Sequence, residues 1–122
     1  MEGNDSAEKP YDLGERTFQF AKRVRAFLKQ LERTIGNLED AKQLVRASGS
    51  VGANYIEASE ALSKKDFLFR IKISRKEAKE SHYFLRLLDC APDSPVDLER
   101  EALVQEAHEL TSIFGAIVRK SE

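Results

Sequence analysis

The sequence predicts an all-α protein, an antiparallel up-down-up-down four-helix bundle. Three observations carry this. The 122 residues include only three prolines and six glycines, and long stretches rich in Ala, Leu, Glu, Lys and Arg favour helix. Apolar residues recur three and four apart in four successive segments, the repeat of one helix face. Those segments are separated by only short turns, which sets consecutive helices antiparallel. The length suits one domain with a real core and is too short for two.

Residues 1–10, MEGNDSAEKP, are polar and aperiodic, and read as a disordered tail before a bundle domain over residues 11–120. The first helix is expected from about Leu13 to Leu31, with Leu13, Thr17, Phe20, Val24, Phe27 or Leu28, and Leu31 inward. Phe18 stands off that stripe as a candidate contact residue. Gly36-Asn37 reads as the break before the second helix.

The second helix, expected from about Glu39 to Leu62, is the centre of the chain. Its inward stripe is Ala41, Leu44, Ser48, Val51, Tyr55, Ala58 and Leu62. Ala47 to Ile56 carries no charge, although 34% of all residues are charged. Each of Gly49 and Gly52 costs a helix about 1 kcal/mol relative to alanine. Close approach of another helix is the usual compensation. Absence of charge all round suggests burial on two sides, one toward the chain's own core and the other toward a second subunit. Ser48, Val51, Gly52, Tyr55 and Glu57 are therefore the candidate packing and oligomer residues. Glu57 reads equally as a polar anchor or as a solvated carboxylate, and Asn54, if buried, must be hydrogen-bonded.

Ser63 is expected to cap the third helix, in a reciprocal capping box with Asp66. That helix runs from about Lys64 to Asp89 on a stripe of Phe67, Ile71, Ser74, Ala78, Ser81, Leu85 and Leu88. Leu68, Phe69, Ile73 and Phe84 widen it beyond one core-facing seam. Cys90-Ala-Pro-Asp is the next turn. Ser94 is then the N-cap, Pro95 the first helical residue and Asp97 the third, opening a fourth helix that ends near Arg119, with Leu98, Ala102, Leu103, Leu110, Ile113 or Phe114, and Ile117 inward.

The run LVRASGSVGANYIEASEALSKKDF resembles the pattern of the bacterial 23S rRNA intervening-sequence proteins, a four-helix-bundle family without an agreed activity. The matching positions are Leu44, Arg46, Ser48, Ser50, Val51, Gly52, Asn54, Ile56, Glu57, Ala58, Ser63, Lys64, Asp66 and Phe67. The chain departs at Ala58, where the family commonly has glycine, and in the residue Val45 between Leu44 and Arg46. Tyr11-Asp12-Leu13 resembles the family's start, and the likeness extends to about Val118. Distant relatives include accessory proteins of diversity-generating retroelements. The resemblance implies a homopentamer, and RNA or DNA and a reverse transcriptase or other protein as partners.

Net charge is only −1, but its distribution is uneven. Between Arg16 and Arg33, six basic residues face one acid, Glu32. Between Ser63 and Lys79, seven face Asp66 and Glu77. From Asp93 to the end, seven acids face three bases. Basic helices attract phosphate backbones. The candidate nucleic-acid contacts are Lys64, Lys65, Lys72, Arg75, Lys76 and Lys79 on the third helix, supported by Arg23, Arg25 and Lys29 on the first. The acidic fourth helix could equally neutralise these charges.

Signals for catalysis are weak. Neither His82 nor His108 has a glutamate three residues before it, so the di-iron bundle pattern is absent and both read as solvated histidines. Cys90 has no local base and reads as a small apolar residue. One cysteine excludes an intramolecular disulfide and suits the cytoplasm. The N-terminus lacks signal-peptide character, and no apolar run reaches the roughly 20 residues of a membrane helix. The expectation is a cytoplasmic, non-enzymatic homo-oligomer without metal or cofactor that binds nucleic acid as an accessory or scaffold. The rival is an adaptor that grips a protein through an apolar groove and never touches nucleic acid.

Overall fold

A computed structural model describes residues 12–122; the tail expected at residues 1–10 lies outside them, as does Tyr11. Four helices are present: α1 (Leu13–Leu28), α2 (Ile35–Ser59), α3 (Lys64–Leu87) and α4 (Pro95–Ser121). They form the expected antiparallel bundle. Each helix packs on its chain neighbours, and α1 closes the ring on α4, so α1 and α3 stand diagonally opposite.

The core is drawn from all four stripes. Phe20, Val24 and Phe27 of α1 meet Leu44, Val51 and Ala58 of α2, Ile71, Ala78 and Leu85 of α3, and Leu103, Leu110 and Phe114 of α4. Tyr55 reaches across to Phe114, ring centroids 6.1 Å apart. Burying a side chain of this size contributes about 1.5–3 kcal/mol, so the stripes, not helix propensity, hold the fold.

The caps decide where the helices begin. Ser63 Oγ accepts from Asp66 N at 3.1 Å and Ser94 Oγ from Asp97 N at 3.1 Å, both as expected. The reciprocal half of the Ser63 box does not form. At Ser94, the Asp97 carboxylate instead accepts from Asp93 N at 3.0 Å. This bond anchors Asp93, the one non-glycine residue with positive φ (62°) among those described.

Three boundaries differ from expectation. α1 stops at Leu28, because Gln30 N and Leu31 N turn back to the carbonyls of Phe27 and Leu28 and tighten the chain out of the α-helix. α2 begins four residues early, at Ile35, so Gly36-Asn37 is no break. Thr34 is the N-cap and accepts from Asn37 N at 3.1 Å. Asn37 itself is 2% exposed, held by bonds to the third helix's end that local sequence does not reveal. α2 also ends at Ser59, so Leu62 leaves the stripe and is 98% exposed.

The uncharged stretch of α2 is approached from two sides by the chain itself. On one side Ser74 Oγ of α3 donates to the Val51 carbonyl at 2.9 Å, beside the fully buried Ser48 and Ser81. On the other, Gly52 lies on Thr17 of α1, and Gly49 on the Arg25 guanidinium. The second buried side faces α1 of the same chain. Ser48 and Val51 are sealed inside the chain, and Gly52 and Tyr55 are packed within it.

Candidate nucleic-acid interface

The charges on the bundle are sorted by ion pairing. α4 turns its acids toward α1. Arg16 binds Glu106 through Nε (2.8 Å) and Nη2 (2.9 Å), and Nη2 also reaches Glu109 at 2.8 Å. Arg23 pairs with Glu99 at 3.1 Å. Glu99, Glu106 and Glu109 are thus spent on one flank of α1, while Asp97 and Glu101 pair with Arg100 of α4 itself.

The outward face of α3 is left cationic. Lys64, Lys65, Lys72, Arg75, Lys76 and Lys79 are all exposed. Among the described residues the one ion pair of these six is a surface contact of Lys72 with Glu122 at 3.5 Å, of a kind worth at most about 1 kcal/mol. Of the three acids of α3, Asp66 is exposed in the first turn next to Lys65, and the other two are engaged by Arg46 of α2. Glu77 is turned in toward α2 and is 6% exposed. Arg46 reaches it at 3.4 Å and Glu80 at 2.9 Å. Arg70 donates to Asn54 Oδ1 at 3.0 Å, with its guanidinium over the Phe69 ring at 5.5 Å. Asn54 in turn donates to Ser50, so this half-buried amide is satisfied.

Two aromatic rings lie on the same face. Phe69 is 57% and Tyr83 56% exposed. Phe69 shares a shallow depression with Lys64, Lys65, Leu68 and Lys72. Tyr83 closes a second one lined by Lys72, Arg75, Lys76 and Lys79, with Glu80, held by Arg46, at its edge. From Lys65 to Tyr83 the strip is roughly 27 Å long at 1.5 Å per residue. Sequence reading placed the cations but not Tyr83. The signal was available, since Lys65, Lys72, Lys76, Lys79 and Tyr83 recur on one helical arc.

The α1 residues do not extend this strip. α1 and α3 are diagonal, so their outward faces point apart. Arg23 is tied to Glu99. Arg25 donates to the Ala21 carbonyl and lies over Gly49. Lys29 is exposed beyond the helix end, and Lys22, which the candidate set omitted, stands over the Phe18 ring at 5.9 Å.

The remaining candidates resolve as follows. Glu57 is exposed and makes no ion pair among the described residues; with Glu60 and Asp66 it rims a depression at the α2–α3 turn. His82 and His108 are not independently solvated: they face each other across α3 and α4, ring centroids 6.3 Å apart. Burial, then the charges of Arg86 and His108, hold the half-buried His82 below its ordinary value. No group of three or more His, Cys, Asp and Glu suited to a metal occurs among the described residues. Burial pushes the Cys90 thiol up, away from reactive thiolate. No described helix is long and apolar enough to cross a membrane.

Comparison with known proteins agrees with the fold. No curated protein matches the chain. A crystal structure of a protein of unknown function from the S23 ribosomal protein family of Bacteroides thetaiotaomicron superposes with a TM-score of 0.72. It is 27% identical and covers 86% of this chain and 96% of its own. The sequence model described as "23S rRNA-intervening sequence protein" matches residues 10–92, which takes in α1 to α3 and stops short of α4. With most of its length matched, the chain belongs to the 23S rRNA-intervening sequence protein family.

Proposed function

We propose that this chain is a non-enzymatic, self-associating scaffold or accessory protein of the cytoplasm that binds RNA or DNA along the outward strip of α3. The observation carrying this reading is selective neutralisation: Glu99, Glu106 and Glu109 of α4 pair with Arg16 and Arg23 of α1, whereas the six α3 candidates make one ion pair among the described residues. An unneutralised row of Lys and Arg on a convex helix suits a phosphate backbone. Long side chains on such a face reach phosphates and not base edges, so binding is sequence-tolerant. Phe69 and Tyr83 add ring faces on which unpaired bases stack. The family takes its name from sequences that intervene in 23S rRNA, a setting that suits this reading. A reverse transcriptase or other protein as a further partner, and a pentamer, rest on the resemblance alone.

Titration of a labelled RNA against salt tests the reading. Four phosphate contacts give a slope near −3 in log affinity against log salt. Lys72→Glu/Lys76→Glu/Lys79→Glu is expected to weaken binding by orders of magnitude, with unchanged melting and mass. Failure of the parent to bind at low salt would overturn it.

One observation favours the adaptor reading. A groove of about 510 Å³ at the α1–α2 end is lined by Leu28, Leu31, Leu38, Ala41 and Val45, and suits an apolar side chain of a protein partner. Loss of protein capture in Leu38→Glu, with RNA binding absent in the parent, would select it.

A further inference from the structure

We propose that α1 carries a second polyanion-binding face, which makes a single chain bivalent and able to bridge two nucleic-acid strands. The proposal rests on the reading of α3 given above. Its own observation is on α1. Arg16 and Arg23 turn to α4 and are neutralised there, whereas Lys22, Arg25 and Lys29 stay exposed without a carboxylate partner among the described residues. Phe18 is 53% exposed beside them, with Lys22 over its ring. An exposed aromatic flanked by unpaired cations thus occurs on α1 as it does on α3.

The placement of the two faces gives the pair its function. Diagonal helices present their outward surfaces in opposite directions, so one continuous strand cannot lie straight along both. With neighbouring axes 8–10 Å apart, the faces are separated by roughly 25 Å. That is more than twice the Debye length of about 10 Å at 0.1 M salt, so a strand bound on one face barely repels a strand on the other. The α4 acids that face α1 are already paired with Arg16 and Arg23. Two weak faces on one rigid body hold two strands, or two segments of one folded RNA, at a fixed spacing, and the second segment is captured at raised effective concentration.

Two non-complementary single-stranded RNA oligonucleotides, one carrying a donor dye and one an acceptor, test this with the full-length protein. The parent is expected to produce energy transfer that rises with protein and falls again in excess, as each strand acquires its own chain. Lys22→Glu/Arg25→Gln/Lys29→Glu is expected to lose at least tenfold of the transfer, yet to keep anisotropy-measured binding of one oligonucleotide within about threefold of the parent. The milder Lys22→Gln/Arg25→Gln/Lys29→Gln variant, checked for parental circular dichroism and mass, repeats the test free of charge reversal. Undiminished transfer in both α1 variants would overturn the proposal, since bridging would then come from α3 faces on several copies. Loss of single-strand binding in the folded α1 variants would overturn it as well, since the cations would then form one site. A parent that binds neither oligonucleotide defeats the α3 reading itself, a result distinct from either.

Discussion

Gly52 of α2 lies so close to Thr17 of α1 that a Cβ built on the glycine would sit 2.9 Å from Thr17 Oγ1 and 3.2 Å from its Cβ. The hydroxyl cannot easily give way. Thr17 is 1% exposed, and its Oγ1 donates to the Leu13 carbonyl at 2.6 Å. Even Gly52→Ala must therefore push α1 outward, and overpacking of this kind costs about 1–3 kcal/mol. Gly52→Leu is expected to cost more or to prevent folding. Gly36→Ala is the control: nothing lies within 4 Å of its position in the first turn of the same helix, so alanine there should stabilise by about 0.5–1 kcal/mol. Thermal melts of the two alanine variants should move in opposite directions. Thr17→Ala should recover part of the Gly52→Ala loss, and a double-mutant cycle with no coupling would refute the contact.

A second expectation concerns the joint between α1, α2 and α3. Asn37 Nδ2 donates to the Glu32 carbonyl at 3.0 Å and to the Asp89 carbonyl at 3.1 Å, while its Oδ1 accepts from Asp89 N at 2.9 Å. One amide thus satisfies both backbone groups of Asp89, just past the C-terminus of α3. Asn37→Ala leaves these groups without partners, at about 1–3 kcal/mol for each that stays dry. Asn37→Asp should not rescue, because a carboxylate has no donor for the two carbonyls. Comparable melting of Asn37→Asp and the parent would show that the donated bonds do not matter.

What the sequence disclosed follows the range of the interactions involved. The stripes of α1 to α3, most of that of α4 and the caps Ser63 and Ser94 depend on residues three or four apart, and they were legible; Leu98 and Ala102, expected inward on α4, are exposed. Asn37 was misread as a break because its partner Asp89 is 52 residues away. Leu62 was misplaced because the end of α2 is decided by its turn and not by the apolar period. Within the candidate site, the α3 cations were legible as a helical arc. That Arg23 was lost to Glu99, Glu77 turned inward and α1 set diagonal to α3 was not, since each depends on which helices become neighbours.

The pH dependence of stability should show two phases. Hydrogen bonds from Gln105 and then Arg16 hold Glu109 below the ordinary glutamate range. A backbone bond from Asp93, then Arg100, does the same for Asp97. For such depressed carboxylates the stabilisation is present above the unfolded value, roughly pH 4, and is lost as pH falls through the folded one. His82 acts earlier. Its folded value lies below the unfolded one, so the unfolded chain takes up the proton first and stability declines as pH drops below about 6.5. Melting temperature should fall gently from pH 7 to 5 and more steeply below pH 4. His82→Gln should remove the first phase alone and Arg16→Gln should blunt the second. A flat profile from pH 7 to 3 would contradict both.

The two basic helices should respond differently to single charge changes. Lys76→Glu places an acid in the middle of the α3 strip, so it should remove about one phosphate contact and lower the salt slope by nearly 1. Arg23→Glu should leave nucleic-acid binding nearly unchanged, because Arg23 already faces Glu99. It should instead set two acids against each other across α1 and α4 and lower the melting temperature slightly. A reversed pattern, with Arg23→Glu weakening binding more than Lys76→Glu, would place the interface on the wrong helix.

Self-association has less to draw on than the uncharged run of α2 suggested, because α1 and α3 consume most of that run. Apolar surface remains elsewhere. Ile56 is 61% exposed on α2, Leu62 98% in the α2–α3 turn and Ile35 85% at the opposite end of α2. Exposed apolar side chains at both ends and along one flank of the same helix are more than a solvated bundle needs, and a second copy would cover them. Contacts of unlike patches close into a ring or run on as a filament, so a discrete mass would identify the ring. Light scattering at micromolar concentration should give a multiple of the 13.8 kDa chain mass, five copies if the family resemblance extends to assembly. Ile56→Glu/Leu62→Glu should reduce that mass without lowering helicity, since both residues are exposed within the chain. A parent that scatters as the monomer would reject self-association, and α3 would then have to bind nucleic acid as a single strip without multiplication around a ring.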